Sequence, residues 1–191
     1  LGFVWSVASA FQFDLGDRGN IRYNPELEPM GAIGDAGWYN MRAAVEYLAP
    51  DVALDSASAH LRRDRETGAA ISGTGVLEFN DGSTSTWNCG FDSGAVVMDL
   101  RITGTKGVIN IDDFLGQNPD GSADFLYRQG GWGDAVSDEI DIPSAKPGAA
   151  LMFEDMAAAA ADPSLRGPWM TATERTQALL DAAWKAALES E

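Results

Sequence analysis

Apolar and polar residues alternate from the first residue: Leu1, Phe3, Trp5, Val7, Phe11 and Phe13 are separated by small or polar neighbours, the period of a half-buried strand. A stretch rich in Gly and Pro follows, LGDRGNIRYNPELEPMGAIGD, and then the period changes. Trp38, Met41, Val45 and Leu48 recur at helical spacing, predicting a helix over about Asp35 to Leu48. Asp35 stands where an N-terminal capping carboxylate belongs, and Pro50 stops the pattern. From about Val52 to Ile111 the period returns to two. In VVMDLRIT, Val96, Met98, Leu100 and Ile102 are expected on one face, with Asp99, Arg101 and Thr103 on the other. Asn80-Asp81-Gly82 and Gly104-Thr105-Lys106-Gly107 are turn signals that join neighbouring antiparallel strands. Trp87, Cys89 and Phe91 share one face, which reads Cys89 as a small buried hydrophobe.

From about Gly116 to Pro147 the chain is richer in Gly, Asp and Ser. We expect a loose excursion there, with a hairpin around ADFLYRQ and DAVSDEIDI. A helix over Leu151 to Ala161 is expected to end at Asp162-Pro163. A last helix opens with a capping box at Thr171 and Glu174, and Leu180, Ala183, Trp184, Ala187 and Leu188 form its apolar stripe. These elements predict an α+β fold, a mostly antiparallel open-faced sheet with helices on one face. The other face, taken to carry Trp, Met and Val, should then meet another domain or a second copy.

The chain of 191 residues is 45% hydrophobic and 22% charged, the composition of one globular domain spanning 1–191. Its 13 Lys and Arg against 29 Asp and Glu give a net charge of −16, which repels nucleic-acid backbones and anionic membranes. We therefore expect no nucleic-acid or membrane partner. A single cysteine excludes an intramolecular disulfide or a cysteine-based zinc site, and the cytoplasm is the default compartment. The strand-like opening at Leu1, with no lead-in, suggests a piece of something longer.

Little of the usual chemistry is visible. The glycines of SGTGVLEF precede a strand instead of opening a helix, and neither G-x-G-x-x-G nor a Walker motif occurs, so a dinucleotide is not held by this chain in the Rossmann manner. His60 has no second histidine to join it as a metal ligand, and a surface or edge position is expected; no metal site is predicted. Asp112-Asp113 and Asp138-Glu139 are adjacent on strand-like segments and point to opposite faces, so neither pair flanks a glycosidic bond. Asp35 and Tyr39 are more suggestive. Their i, i+4 spacing puts a carboxylate and a phenol on one face of a helix start, where the phenol can exchange a proton with an alcohol or carbonyl oxygen. The same spacing also suits an N-cap aspartate and a packed tyrosine.

NIRYNPEL followed by GDAGWYN resembles the signature that opens the C-terminal domain of the Gfo/Idh/MocA oxidoreductases, approximately N-W-R-x-x-P-x-L-x-G-G-x-L-x-D-x-G-x-[YH]. VLEFNDGSTSTWNCGFD, RITGTKGVINIDDF and TERTQALLDAAWKA are similar to later parts of that domain. Ile21 stands where the pattern has Trp, and Met30-Gly31 where it has paired glycines. The resemblance implies an open-faced sheet that forms homo-oligomers and packs on an N-terminal Rossmann domain absent from this chain. It implies Tyr39 as proton donor and acceptor near the nicotinamide, with Asp35 beside it, Arg22 at the substrate pocket and Trp38 as part of its wall. The cofactor would be NAD or NADP and the substrate a sugar, cyclitol or other polyol. The dinucleotide motif and the E-K-P lysine belong to the missing domain, so the chain alone should be inactive. A noncatalytic dimerisation or scaffold domain and a carbohydrate-binding module are the other readings of the same residues.

Overall fold

The computed structural model describes residues 1–48, 52–116 and 120–191. In it the alternating opening stretch forms β1 (Val4–Asp14), and a short helix α1 (Gly31–Gly34) leads into α2 (Ala36–Tyr47). Six strands follow: β2 (Leu54–Arg63), β3 (Ala70–Phe79), β4 (Thr84–Gly90), β5 (Asp92–Val97), β6 (Leu100–Gly104) and β7 (Gly107–Ile111). Then come β8 (Ala123–Gln129), β9 (Val136–Ile142), α3 (Gly148–Ala161) and α4 (Arg166–Glu189). The strands make one sheet in the order β2-β3-β4-β1-β6-β7-β8-β9, with β5 also paired to β1. Among the described residues the strands pair antiparallel except β1 with β4, so the chain is α+β with a mostly antiparallel sheet. Among the described residues no helix is long and apolar enough to cross a membrane.

The two turn signals connect β3 to β4 and β6 to β7. The segments expected as a hairpin within the excursion are β8 and β9, which pair with each other while β8 also pairs with β7, so they continue the sheet. Helices cover only part of the sheet: α2 lies on β1 and β4, α1 on β3, and α4 on β2 and α2. Val7, Ala59, Leu77, Trp87, Cys89, Leu100 and Ile102 point into this layer and meet Ile33, Met41, Leu180 and Ala183. Burial of each large side chain contributes roughly 1.5–3 kcal/mol. Gly73 and Gly75 lie inside β3, not before it, and their role is spatial. A Cβ at Gly73 would meet Ile33 at 2.5 Å, and one at Gly75 would meet the Ser58 carbonyl at 2.4 Å and Trp87 at 2.8 Å. Bare backbone there lets Ile33 and Trp87 lie flat on the strand.

Several expectations are corrected. Between Val4 and Ser6 the register with β6 slips, making Trp5 an extra residue. Val4 and Val7 therefore reach the core, while Phe3 and Trp5 stay exposed. VVMDLRIT is not one strand, because β5 and β6 part at Met98-Asp99 and Val96 is left exposed. α4 begins at Arg166, so Thr171 and Glu174 lie within a helix and do not open one; Leu188 is exposed, and Leu179 and Thr176 join the buried stripe instead. Pro50 lies outside the described residues; α2 ends at Tyr47, with the Leu48 amide donating to the Ala44 carbonyl at 3.1 Å. The uncovered face is only in small part the expected surface of Trp, Met and Val. Trp87 points under the helices, and the open side of β1 to β4 presents Val76 among Ala8, Ala10, Ser58, Thr74, Thr86 and Asn88.

Candidate active site

Arg22 is carried by a loop, residues 15–30, that local side chains shape. The Asn20 side chain accepts the Arg22 amide at 3.1 Å and caps a single 3-10 turn, Ile21–Tyr23. Tyr23 is buried, and its hydroxyl donates to the Leu15 carbonyl at 2.9 Å. The Asn24 side chain accepts the Glu26 amide at 2.9 Å, turning the chain toward α1. At that entry only glycine fits: Gly31 has φ +49°, and a Cβ on it would stand 2.2 Å from the Ala70 carbonyl.

Between α1 and α2 the backbone breaks at Asp35, with φ −84° and ψ −82°. Asp35 occupies the N-cap position, yet its side chain makes no capping bond. The expected capping role is thus overturned. The carboxylate turns outward and accepts from Arg22 Nη2 at 2.7 Å, an ion pair whose two side chains are 36% and 27% exposed. A charge-assisted bond of this length is stronger than a neutral one. It holds the Arg22 guanidinium above its ordinary value, with smaller contributions from the fields of Asp35, Glu28 and Tyr39.

One turn into α2, Tyr39 remains 40% exposed, with aromatic rings on both sides. The Trp38 ring meets it edge-on at 5.6 Å and Phe11 of β1 does so at 5.5 Å. Such edge-to-face pairs favour one orientation of the ring. The next residue, Asn40, is fully buried, and its amide nitrogen donates to Ser9 Oγ at 2.9 Å, pinning α2 to β1. Arg22, Asp35, Trp38 and Tyr39, separate in the sequence reading, thus form one neighbourhood. Phe11 and Asn40 were not singled out by it. Phe11 was legible as a strand position, but its contact with Tyr39 depends on where α2 crosses β1.

Other candidates lie elsewhere. His60 is exposed on the edge strand β2. Cys89 is buried and burial pushes its thiol up to about 12, so it is a packed hydrophobe in this fold. Among the described residues no group of three His, Cys, Asp or Glu side chains could hold a metal ion.

The fold is an α+β domain whose helix-covered face carries an ion pair at the entrance of α2 and a half-exposed phenol one turn further on. Residues 1–110 match the GFO/IDH/MocA C-terminal domain, and the chain belongs to that family. It is 33% identical over 112 residues to a dTDP-3,4-didehydro-2,6-dideoxy-alpha-D-glucose 3-reductase of Streptomyces antibioticus, a match covering 59% of this chain and 33% of the relative. It is 30% identical over 132 residues to a D-xylose 1-dehydrogenase (NADP(+)) of Haloferax volcanii, covering 69% of this chain and 39% of the relative. A solved 3-ketoreductase from Actinomadura kijaniata, in complex with NADP and TDP-benzene, superposes with a TM-score of 0.83 at 22% identity, covering 97% of this chain and 55% of that one. An aldose-aldose oxidoreductase from Caulobacter crescentus, complexed with glycerol, gives 0.78 at 20% identity, covering 100% and 55%. The chain therefore spans a third to two fifths of the curated relatives it matches and about half of these solved structures.

Proposed function

We propose that this chain forms the substrate-binding and acid–base half of an NAD(P)-dependent oxidoreductase acting on a sugar, cyclitol or similar polyol. The observation that carries this reading is the Arg22–Asp35 ion pair beside a phenol that two rings flank without burying it. The relatives support the substrate class, since those named above act on a nucleotide-linked sugar and on xylose. The residues here fit the substrate side of such a site and not the dinucleotide side, because no glycine-rich strand-to-helix turn is present in the sequence. A nicotinamide nucleotide on a separate Rossmann domain would supply the hydride acceptor or donor.

In the direction of alcohol oxidation, Tyr39 in its phenolate form takes the hydroxyl proton as the C–H bond gives up its hydride, and a carbonyl remains. In reduction, Tyr39 returns the proton to the oxygen. Arg22 donates to a neighbouring substrate oxygen, and Asp35 aims that guanidinium through the bond it already makes. Trp38 walls the pocket. Without the lysine of the partner domain the chain alone is inactive in this scheme.

Tyr39→Phe, tested in the polypeptide that includes the dinucleotide-binding domain, should lower turnover by roughly 10²-fold or more with nucleotide affinity unchanged. Near-normal turnover would sink the assignment. A noncatalytic scaffold role would then lead.

We also propose homo-oligomers joined through the open face of β1 to β4, whose small Ala, Ser and Thr side chains line a broad concavity with room for side chains of a second sheet. Thr86→Glu should convert the assembly to monomers by sedimentation velocity. An unchanged sedimentation coefficient would move the interface elsewhere.

A further inference from the structure

The loop that presents Arg22 has no strand and only one 3-10 turn, and Asp35 restrains only the tip of the Arg22 side chain. A different element holds the loop's backbone in place. After β2 the chain reverses at Asp64, whose amide donates to the Ala69 carbonyl at 2.8 Å while the Gly68 amide donates back to Asp64 at 2.9 Å. Asp64 Oδ1 accepts the amides of Glu66 and Thr67 at 3.0 and 2.9 Å and the Thr67 hydroxyl at 3.1 Å. One oxygen would suffice for this turn. Asp81, Asp120 and Asp162 build similar turns with Ser83, Ser122 and Ser164 from exposed positions, and no ion pair is found on them among the described residues.

Asp64 differs in two respects. Its side chain is only 5% exposed, and its second oxygen, Oδ2, is the acceptor for Arg18 of the Arg22 loop, 46 residues away in sequence. Arg18, which also has Glu66 at 3.7 Å, lies over the Tyr23 ring with its guanidinium carbon 5.5 Å from the centroid. Tyr23 is packed on Ala69, Ile71 and Leu15. The contacts therefore run from a buried carboxylate, through a cation stacked on an aromatic ring, to the residue next to Arg22.

We propose that Asp64 is a positioning residue for substrate recognition: through Arg18 and Tyr23 it sets the backbone from which Arg22 reaches the polyol. This rests on the reading of Arg22 as a substrate ligand. Asp64 touches neither substrate nor reacting atoms in this arrangement. Its removal should therefore change binding far more than chemistry.

Asp64→Asn keeps Oδ1 for the turn and removes the charge that Arg18 meets. Arg18→Gln breaks the same link from the other side and leaves the turn intact. Hydrogen exchange on the 191-residue chain should show peptides spanning 18–28 exchanging roughly tenfold faster in either variant, with α2 and β4 unchanged. Unchanged exchange in both variants would overturn the proposal, as would a uniform rise across the whole fold. In the enzyme with its dinucleotide-binding domain, Asp64→Asn should raise KM for the sugar roughly tenfold while kcat moves less than about twofold. Arg22→Ala should match it, and the double variant should be no worse than either alone. If Arg22→Ala left KM for the sugar unchanged while loop exchange still responded to Asp64, the substrate reading would have failed and the loop anchoring would stand. Asp64→Glu, which restores the charge, should recover part of the KM loss; no recovery would count against a charge-mediated role.

Discussion

The half of the sheet made by β2, β3, β4 and β1 and the half running from β7 to β9 obey the same hydrogen-bonding rules but do different work. Each strand of the first half sends at least one side chain into the buried core, among them Ala59, Leu77, Trp87 and Val7. No residue of β7, β8, β9 or α3 is fully buried. α3 presents Leu151, Met152, Phe153 and Met156 to solvent and contacts chiefly the 3-10 turn that follows it. Ladder bonds are enough to extend a sheet, whereas a core needs a second layer packed on it. The candidate site sits on the covered half, where α2 is pinned to β1 and the Arg22 loop to the β2–β3 turn.

That contrast can be broken by substitution. Trp87→Ala should cost about 3–5 kcal/mol, the range for emptying a large buried aromatic site, and shift the denaturant midpoint accordingly. Phe153→Ala, the same kind of truncation on α3, should stay within about 0.5 kcal/mol. Equal losses would mean that α3 is packed in solution and that the two halves are energetically one.

Local signals were legible in both halves: the segments of β8 and β9 in one, and in the other several runs around the core. The period-two runs around Trp87 and Cys89, the Asn80-Asp81-Gly82 turn and the helical spacing of Met41 and Leu48 are local signals, and local structure follows them. What could not be read depends on distant partners. The slip at Trp5 exists because β6 meets β1 out of step, and nothing within LGFVWSV encodes that. The break at Met98-Asp99 arises where β5 and β6 both pair with β1. Leu188 fits the apolar stripe of α4 by spacing alone, but the helix turns Ala187 into the core and leaves Leu188 on the solvent side. In the site, Arg22, Asp35, Trp38 and Tyr39 were legible through a motif, whereas the capping role assigned to Asp35 failed because a guanidinium competes for the carboxylate. Phe11 and Asp64 come from two other stretches of chain and Asn40 from the end of the motif itself, and all three acquire meaning only when β1, α2 and the β2–β3 turn converge.

A smaller effect separates the halves by pH. The Asp64 carboxyl is held down at about 2, first by the Thr67 amide, with the Glu66 amide and Arg18 adding to it. Because the folded value is depressed, this stabilisation is fully present above the ordinary aspartate value of about 3.9 and is lost as pH falls toward 2. The protection of the Arg22 loop against exchange, taken relative to the intrinsic amide rate at each pH, should therefore fall between about pH 4 and pH 2 in the natural chain, and Asp64→Asn should flatten that fall. The exposed turns at Asp120 and Asp162, also shifted down by their serine partners but tied to no core element, should carry no comparable loop response. A response of equal size at all three would remove the distinction.

The place of β1 bears on how the molecule is made. It lies between β4 and β6, so Val7 faces Ser85 on one side and Ile102 on the other, and both arrive late on a growing chain. At roughly 5–20 residues per second, ribosomal synthesis leaves this strand waiting for several seconds before either neighbour emerges. Throughout that interval VWSVASAFQFD, uncharged until Asp14, stands as an unpaired template for strand addition by other nascent chains. The central position that makes β1 a foundation of the finished site also makes it the segment most in need of shelter during biosynthesis.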